Sequence, residues 1–127
     1  MSYDIAIESD HKPKALAELQ GVRALFAEIP HMAEIGQRRF QYDDGIRYFE
    51  SWLDIVDEDG NTLIPDPKRQ ESDVDQDGVR DKVNVITTSV PYGFSGLELM
   101  DMLDVCFQIA TRLGWRVFDQ QLGDYVE

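Results

Sequence analysis

The sequence predicts a single α+β domain over residues 1–127: a mostly antiparallel sheet of four to five strands with two amphipathic helices on one face, for which a ferredoxin-like arrangement fits best. Three observations lead there. Two segments, 14–29 and 97–113, carry apolar residues at spacings of three and four, the period of a helix buried along one stripe. Several short runs alternate, or concentrate β-branched and aromatic residues, as half-buried strands do. The order is strand, helix, several strands, helix, strand, which suits helices gathered on one side of a sheet. At 127 residues and 43% apolar composition the chain has the length and hydrophobicity for one core, with no internal repeat.

Taken in order, Tyr3 to Glu8 sets Tyr3, Ile5 and Ile7 against Asp4, Ala6 and Glu8, a period of two that predicts a first strand. Ser9 to Pro13 is polar and reads as a loop in which Ser9 or Asp10 would cap the following helix. Leu16, Leu19, Val22, Leu25, Phe26 and Ile29 then form one helical stripe, which Pro30 should end because it lacks an amide hydrogen. Gly21 inside this helix suggests close packing, since glycine otherwise costs helix stability. Arg39 to Tyr42 and Ile46 to Val56 flank Asp43-Asp44-Gly45, a hairpin signal. The second run alternates imperfectly, which suggests a bulge.

Asp57 to Asn61 is a further turn, and Pro65 and Pro67 exclude a central strand after Leu63-Ile64. A charged connection, 68–82, leads to Val83–Val90, the clearest strand of the chain. Ser95-Gly-Leu-Glu98 has the form of a capping box. The helix it opens places Leu99, Leu103, Cys106, Phe107, Ala110 and Leu113 on its apolar side, with Gly114 as the stop. A last strand or small hairpin is expected from Trp115 to Phe118 and from Asp124 to Val126.

Twelve Lys and Arg stand against 25 Asp and Glu, a formal charge of −13. That field disfavours nucleic acid and anionic membranes and suits a cation or a basic protein surface, although it also serves solubility alone. The single Cys106 excludes an internal disulfide and agrees with a reducing compartment. Met-Ser-Tyr-Asp-Ile lacks the basic start and apolar run of a secretion signal, so a cytoplasmic location is expected.

The sharpest local pattern is Asp73-Val-Asp75-Gln-Asp77-Gly78-Val79-Arg-Asp81, with oxygens at alternate positions and a glycine for the tight turn. These nine residues resemble the calcium loops of dockerins and thrombospondin type-3 repeats. The resemblance implies side-chain oxygens from Asp73, Asp75, Asp77 and Asp81 and the carbonyl of Val79 around a calcium ion. Two features depart from it: the twelfth position is Asn84 rather than a bidentate acid, and no second copy exists. A solvated acidic connection is the simpler reading.

Little else points to bond chemistry. Cys106 lies on a helix stripe, where a thiol is an inert core group. His11 and His31 lack the partners of a zinc site. Gly93-Phe-Ser-Gly96 is a weak anion loop whose amides the capping box already uses. Paired acids such as Asp57/Asp59 and Asp101/Asp104 read as solvated carboxylates, and Trp52, Trp115, Phe107 and Phe118 read as core; Tyr48 and Tyr125 suit core or surface. No catalytic residue is assigned. In general character the chain resembles the small acidic immunity proteins of polymorphic and type VI secretion toxins. The resemblance implies a cytoplasmic, non-enzymatic inhibitor that binds a toxin or other basic enzyme, with Asp43, Asp44, Asp57, Glu58 and Asp59 as contacts. The alternatives are a calcium-stabilised module and a small enzyme using pocket carboxylates.

Overall fold

The computed structural model describes residues 2–9, 16–36, 38–45, 48–56, 82–91 and 96–126. Their strands are β1 (Ser2–Glu8), β2 (Ala17–Glu18), β3 (Met32–Gly36), β4 (Arg39–Asp43), β5 (Tyr48–Asp54), β6 (Lys82–Val83), β7 (Val85–Pro91), β8 (Arg116–Asp119) and β9 (Asp124–Val126). The helices are α1 (Leu19–Ala27) and α2 (Gly96–Leu113). Seven strands form one sheet in the order β3-β4-β5-β7-β1-β8-β9, every neighbouring pair antiparallel, and β2 with β6 makes a separate two-stranded ribbon. The α+β class holds, but the main sheet is wider than the four to five strands expected. The added width comes from β3, whose Met-Ala-Glu-Ile-Gly sequence lacks the β-branched signature and lies mostly exposed at an edge, and from the short β9 at the other.

One face of the sheet is dry. Ile5 and Ile7 of β1, Phe40 of β4, Phe49 and Leu53 of β5, Ile86 and Val90 of β7 and Val117 of β8 join Leu19, Val22 and Phe26 of α1 and Met102, Val105, Cys106, Ile109 and Ala110 of α2 in one core. Phe26 stacks on Phe40 with ring centroids 4.8 Å apart, locking α1 to the β4 side of the sheet. Glu28 and Arg112 pair across the two helices at 3.2 Å. Among the described residues, no helix is long and apolar enough to cross a membrane.

The β5 sequence looks irregular for a reason other than the expected bulge. Its burial alternates without interruption, and it pairs in unbroken register with both neighbours. Ser51 is the polar residue on the core face, and its hydroxyl bonds that of Thr88 at 2.9 Å; Trp52 takes the opposite face. The register shift lies instead in β3, between Glu34 and Gly36. The expected strand 83–90 is interrupted at Asn84, which separates β6 from β7. Its buried carboxamide accepts from the Val56 amide at 2.9 Å and donates to the Val56 carbonyl at 2.8 Å, substituting for a ladder pair.

Helix boundaries also move. The expected first turn of α1 is strand, because Ala17 and Glu18 pair with Val83 and Lys82, an ion pair joins Lys82 to Glu18, and Leu16 is left exposed. Neither Ser9 nor a side chain at Glu18 caps the helix: Ser9 is buried well before it, and Glu18 makes no capping bond. Asp10 lies outside the described residues. α1 ends at Ala27, and Pro30-His31 forms the turn into β3, with Met32 donating to the Ile29 carbonyl at 3.3 Å. His31 takes a φ of 67° at the turn position that glycine usually holds. On α2 the buried stripe is Met102, Val105, Cys106, Ile109 and Ala110, while Leu103, Phe107 and Leu113 flank it half-buried; the stripe is rotated by about one residue from the expected one. The helix begins where the capping box would open it, but Ser95 and the Glu98 side chain lie outside the described residues.

Gly114 ends α2 with a φ of 70°. Trp115 donates to the Ala110 carbonyl at 2.9 Å and Gly114 to that of Thr111 at 3.3 Å, the two bonds of a Schellman cap. Gly21, in contrast, is exposed, and a Cβ there would meet nothing within 4 Å, so close packing is not its reason. Thermal melts should separate the two glycines. Gly114→Ala should lower stability by about 1 kcal/mol through the left-handed backbone alone, and Gly21→Ala should raise it by about 0.5–1 kcal/mol.

Candidate functional surface

The sheet's second face carries charged and aromatic side chains that the core excludes. Parity and register place Arg39, Trp52, Thr87, Ala6, Phe118 and Tyr125 in one row across β4, β5, β7, β1, β8 and β9. Among the described residues, no helix packs over this row, because both helices share the core on the other side. Trp52, Phe118 and Tyr125 are half-buried, with Phe118 and Tyr125 meeting edge to face at 5.3 Å. Trp52 and Phe118 are therefore not core residues as their hydrophobicity suggested, whereas Trp115 is, and Phe107 packs against the core half-buried. A period-two strand cannot by itself say which of its faces meets the helices.

Charges flank the aromatic row. Asp4 and Glu8 of β1, Asp43 of β4 and Glu50 and Asp54 of β5 share this face with Arg39 and Arg116. Arg39 holds Glu50 at 2.9 Å and lies over Trp52, its guanidinium carbon 5.3 Å from the ring centroid; Arg116 lies 4.2 Å over Tyr125. The Tyr48 hydroxyl donates to the other oxygen of Glu50. That bond first, and the Arg39 contact with it, hold the Glu50 carboxyl below its usual range against a smaller opposing effect of burial, and the same carboxylate pushes the Tyr48 phenol up. Burial raises Asp54, with Arg38 opposing it. Arg38 is a clamp that the sequence did not flag: its guanidinium donates to the carbonyls of Leu53 at 3.1 Å and Lys82 at 3.0 Å.

Of the acids expected to contact a partner, Asp43 and Asp44 form the β4–β5 turn. Asp43 accepts from the Gly45 amide at 2.9 Å, where Gly45 has a φ of 90°, and Asp44 accepts from the Tyr42 hydroxyl at 3.3 Å. Both therefore help to build the turn as well as charge it. Asp57, Glu58 and Asp59, and the loop ligands Asp73, Asp75, Asp77, Val79 and Asp81, lie outside the described residues, as does His11. Asn84, the twelfth position counted from Asp73, spends its carboxamide on Val56. Among the described residues, no three of His, Cys, Asp or Glu stand together as metal ligands.

Two buried polar groups have structural work. Cys106 is fully buried, and loss of solvent pushes its thiol up to about 12 despite a bond with Thr88, so a thiolate is not available there. Asp119 accepts from the Tyr3 hydroxyl and from the amides of Gln121 at 2.9 Å and Leu122 at 3.2 Å. It thereby closes the β8–β9 turn on β1, and the Tyr3 phenol rises to about 12 because that carboxylate holds its proton. Between the helices, Leu25, Ile29, Pro30 and Ile109 line a cleft of about 140 Å³ beside the Glu28–Arg112 pair, below the few hundred Å³ that a typical small-molecule site occupies. A scan of protein-family models found no match to this chain, and a search of curated proteins found none either.

The Arg39–Glu50–Tyr48 network gives a pH signature of definite sign. A carboxyl whose folded pKa is lowered contributes stability above its unfolded value, and that contribution disappears as pH falls through the folded value. Glu50→Gln should therefore cost about 1 kcal/mol at pH 7, and the gap from the parent chain should close only as pH falls beneath the ordinary carboxylate range. Urea unfolding midpoints measured across that range would check it.

Proposed function

We propose that this chain is a protein-binding inhibitor, of the immunity-protein or antitoxin class, that captures a basic toxin or enzyme inside the cell that makes it. The observation that carries the reading is the acidic sheet face, on which Asp4, Glu8, Asp43, Glu50 and Asp54 stand around Trp52, Phe118 and Tyr125 on the side away from the core shared with both helices. A partner held through such a surface gains speed from electrostatic steering and strength from aromatic contacts. The charge of −13 extends the same field over the whole chain. A ferredoxin-like core is supported by β5-β7-β1-β8 lying in that order with α1 and α2 in the crossovers, β3–β4 and β9 being additions at the edges. Fold alone does not assign a function.

The test is co-expression. The product of the open reading frame beside this chain's gene should arrest growth when made alone, and growth should recover when this chain is made with it. Arrest unrelieved by this chain, with both proteins present, would remove the reading.

A second reading rests on the oxygen spacing of Asp73, Asp75, Asp77 and Asp81, which suits a calcium ion. It requires heat on titration with calcium and a raised melting temperature, both lost in Asp75→Ala; a flat titration removes it.

A further inference from the structure

The two helices share a side of the sheet but stand on different strands. α1 packs chiefly against β2, β3 and β6, and α2 chiefly against β1, β7 and β8. Where their flanks approach they leave the cleft of about 140 Å³, with Leu25, Ile29, Pro30 and Ile109 as its apolar wall. Leu25 and Ile29 are only half-buried, and Glu28, Gln108 and Arg112, which also line it, are exposed, so the wall is open to solvent. An apolar cavity of about 150 Å³ holds one benzene ring, so this space suits a single aromatic side chain and little more. A shallower recess of about 410 Å³ shares Gln108 and Arg112 with it and continues over Asp104, Phe107 and Thr111.

The charge beside the cleft is set by one residue. Glu28 and Arg112 compensate each other at 3.2 Å. Asp104 is exposed one helical turn before Gln108, and among the described residues its carboxylate has no hydrogen-bonded or ionic partner. An apolar slot next to an uncompensated carboxylate favours a ring carried close to a cation. The formal charge of −13 acts in the same sense and opposes a second copy of this chain. Residues one turn apart on a helix lie about 5–6 Å from each other, and alternate residues of an extended segment face the same way about 7 Å apart. A base two positions from the ring therefore reaches Asp104.

We infer that this cleft is an anchor site for one aromatic side chain of a basic protein segment, whose arginine or lysine two positions away meets Asp104. The site lies on the helix side, away from the acidic face of the sheet, and does not depend on the inhibitor reading. Peptide binding and growth rescue can each fail without the other.

The probe is the peptide acetyl-Arg-Ala-Phe-Ala-Arg-amide, which offers a base two positions from the ring in either chain direction. It is titrated at about 0.1 M salt, where long-range attraction is largely screened, into the isotope-labelled full chain, and backbone amide shifts are followed. The amides of Glu28, Ile29, Gln108, Ile109 and Arg112 should shift on one saturating curve. Replacing the peptide's Phe by Ala should weaken binding about tenfold or more, the loss expected for one buried ring. Asp104→Asn should weaken it about threefold, whereas Asp124→Asn, which removes equal charge from β9, should leave it unchanged. Ile29→Trp, which fills the cleft from its own wall, should abolish the shifts on α2; if that variant does not fold, the peptide replacement still decides. Equal binding of the Phe and Ala peptides would reduce the effect to charge and overturn the inference. So would shifts confined to other parts of the chain, or saturation of these amides by benzene but not by the peptide, which would make the occupant a free small molecule. Shifts of the same amides with chain concentration alone would assign the cleft to a second copy, and would overturn it too.

Discussion

The position of β1 is the constraint on which the rest of the structure depends. Residues 2–8 lie between β7 and β8, pairing in register with 85–91 on one side and 116–119 on the other. Ile5 and Ile7 are fully buried there, in the core that both helices share, with α2 packed against β1. Because these partners come from the last third of the chain, the centre of the sheet closes only when distant segments meet. Such non-local pairing carries a loop-closure cost that only the assembled core repays. The two edges are then extensions of a core already fixed: the β3–β4 hairpin beyond β5, and β9 beyond β8.

Polar groups inside this core are placed where strands need registration. Ser51, Thr88 and Cys106 link β5, β7 and α2 through hydroxyl and thiol contacts across the apolar layer. Asn84 replaces backbone pairing at the break between β6 and β7, and Asp119 gathers Tyr3 and two turn amides. Among the described residues, no buried side-chain nitrogen or oxygen lacks a hydrogen-bond partner. A satisfied polar network of this kind penalises slipped registers, since a shift of one residue would bury Trp52 in place of Ser51 and strand Thr88 without its partner.

The two faces of the sheet differ in chemistry because both helices pack on the same one. With both helices on one side, the other side keeps the alternate residues of the strands, and Trp52, Phe118 and Tyr125 stand there among five carboxylates, two arginines and the smaller Ala6, Val85, Thr87 and Ser89. Guanidinium stacking on Trp52 and Tyr125 moderates the apolar character of the row. The Glu50 network stiffens the β4–β5 hairpin that borders it.

The sequence by itself determined the α+β class, both helices, the Asp-Gly turn after β4, the glycine stop of α2 and the place of Cys106 in the core. Each of these is set by neighbours within a few residues: a three-to-four spacing, a left-handed turn position, a stripe on one helix. Tertiary structure alone decided the seven-strand width, the conversion of Ala17-Glu18 to strand, the break at Asn84 and the side of the sheet on which Trp52 and Phe118 lie. Those outcomes depend on which strand pairs with which and on where the helices pack. An alternating pattern records that two faces differ but not which one will be buried, so Ser51 looked like an irregularity and Trp52 like core. The candidate surface was correspondingly half legible: its charge could be counted along the chain, but its location required strands from both ends of the sequence to stand side by side.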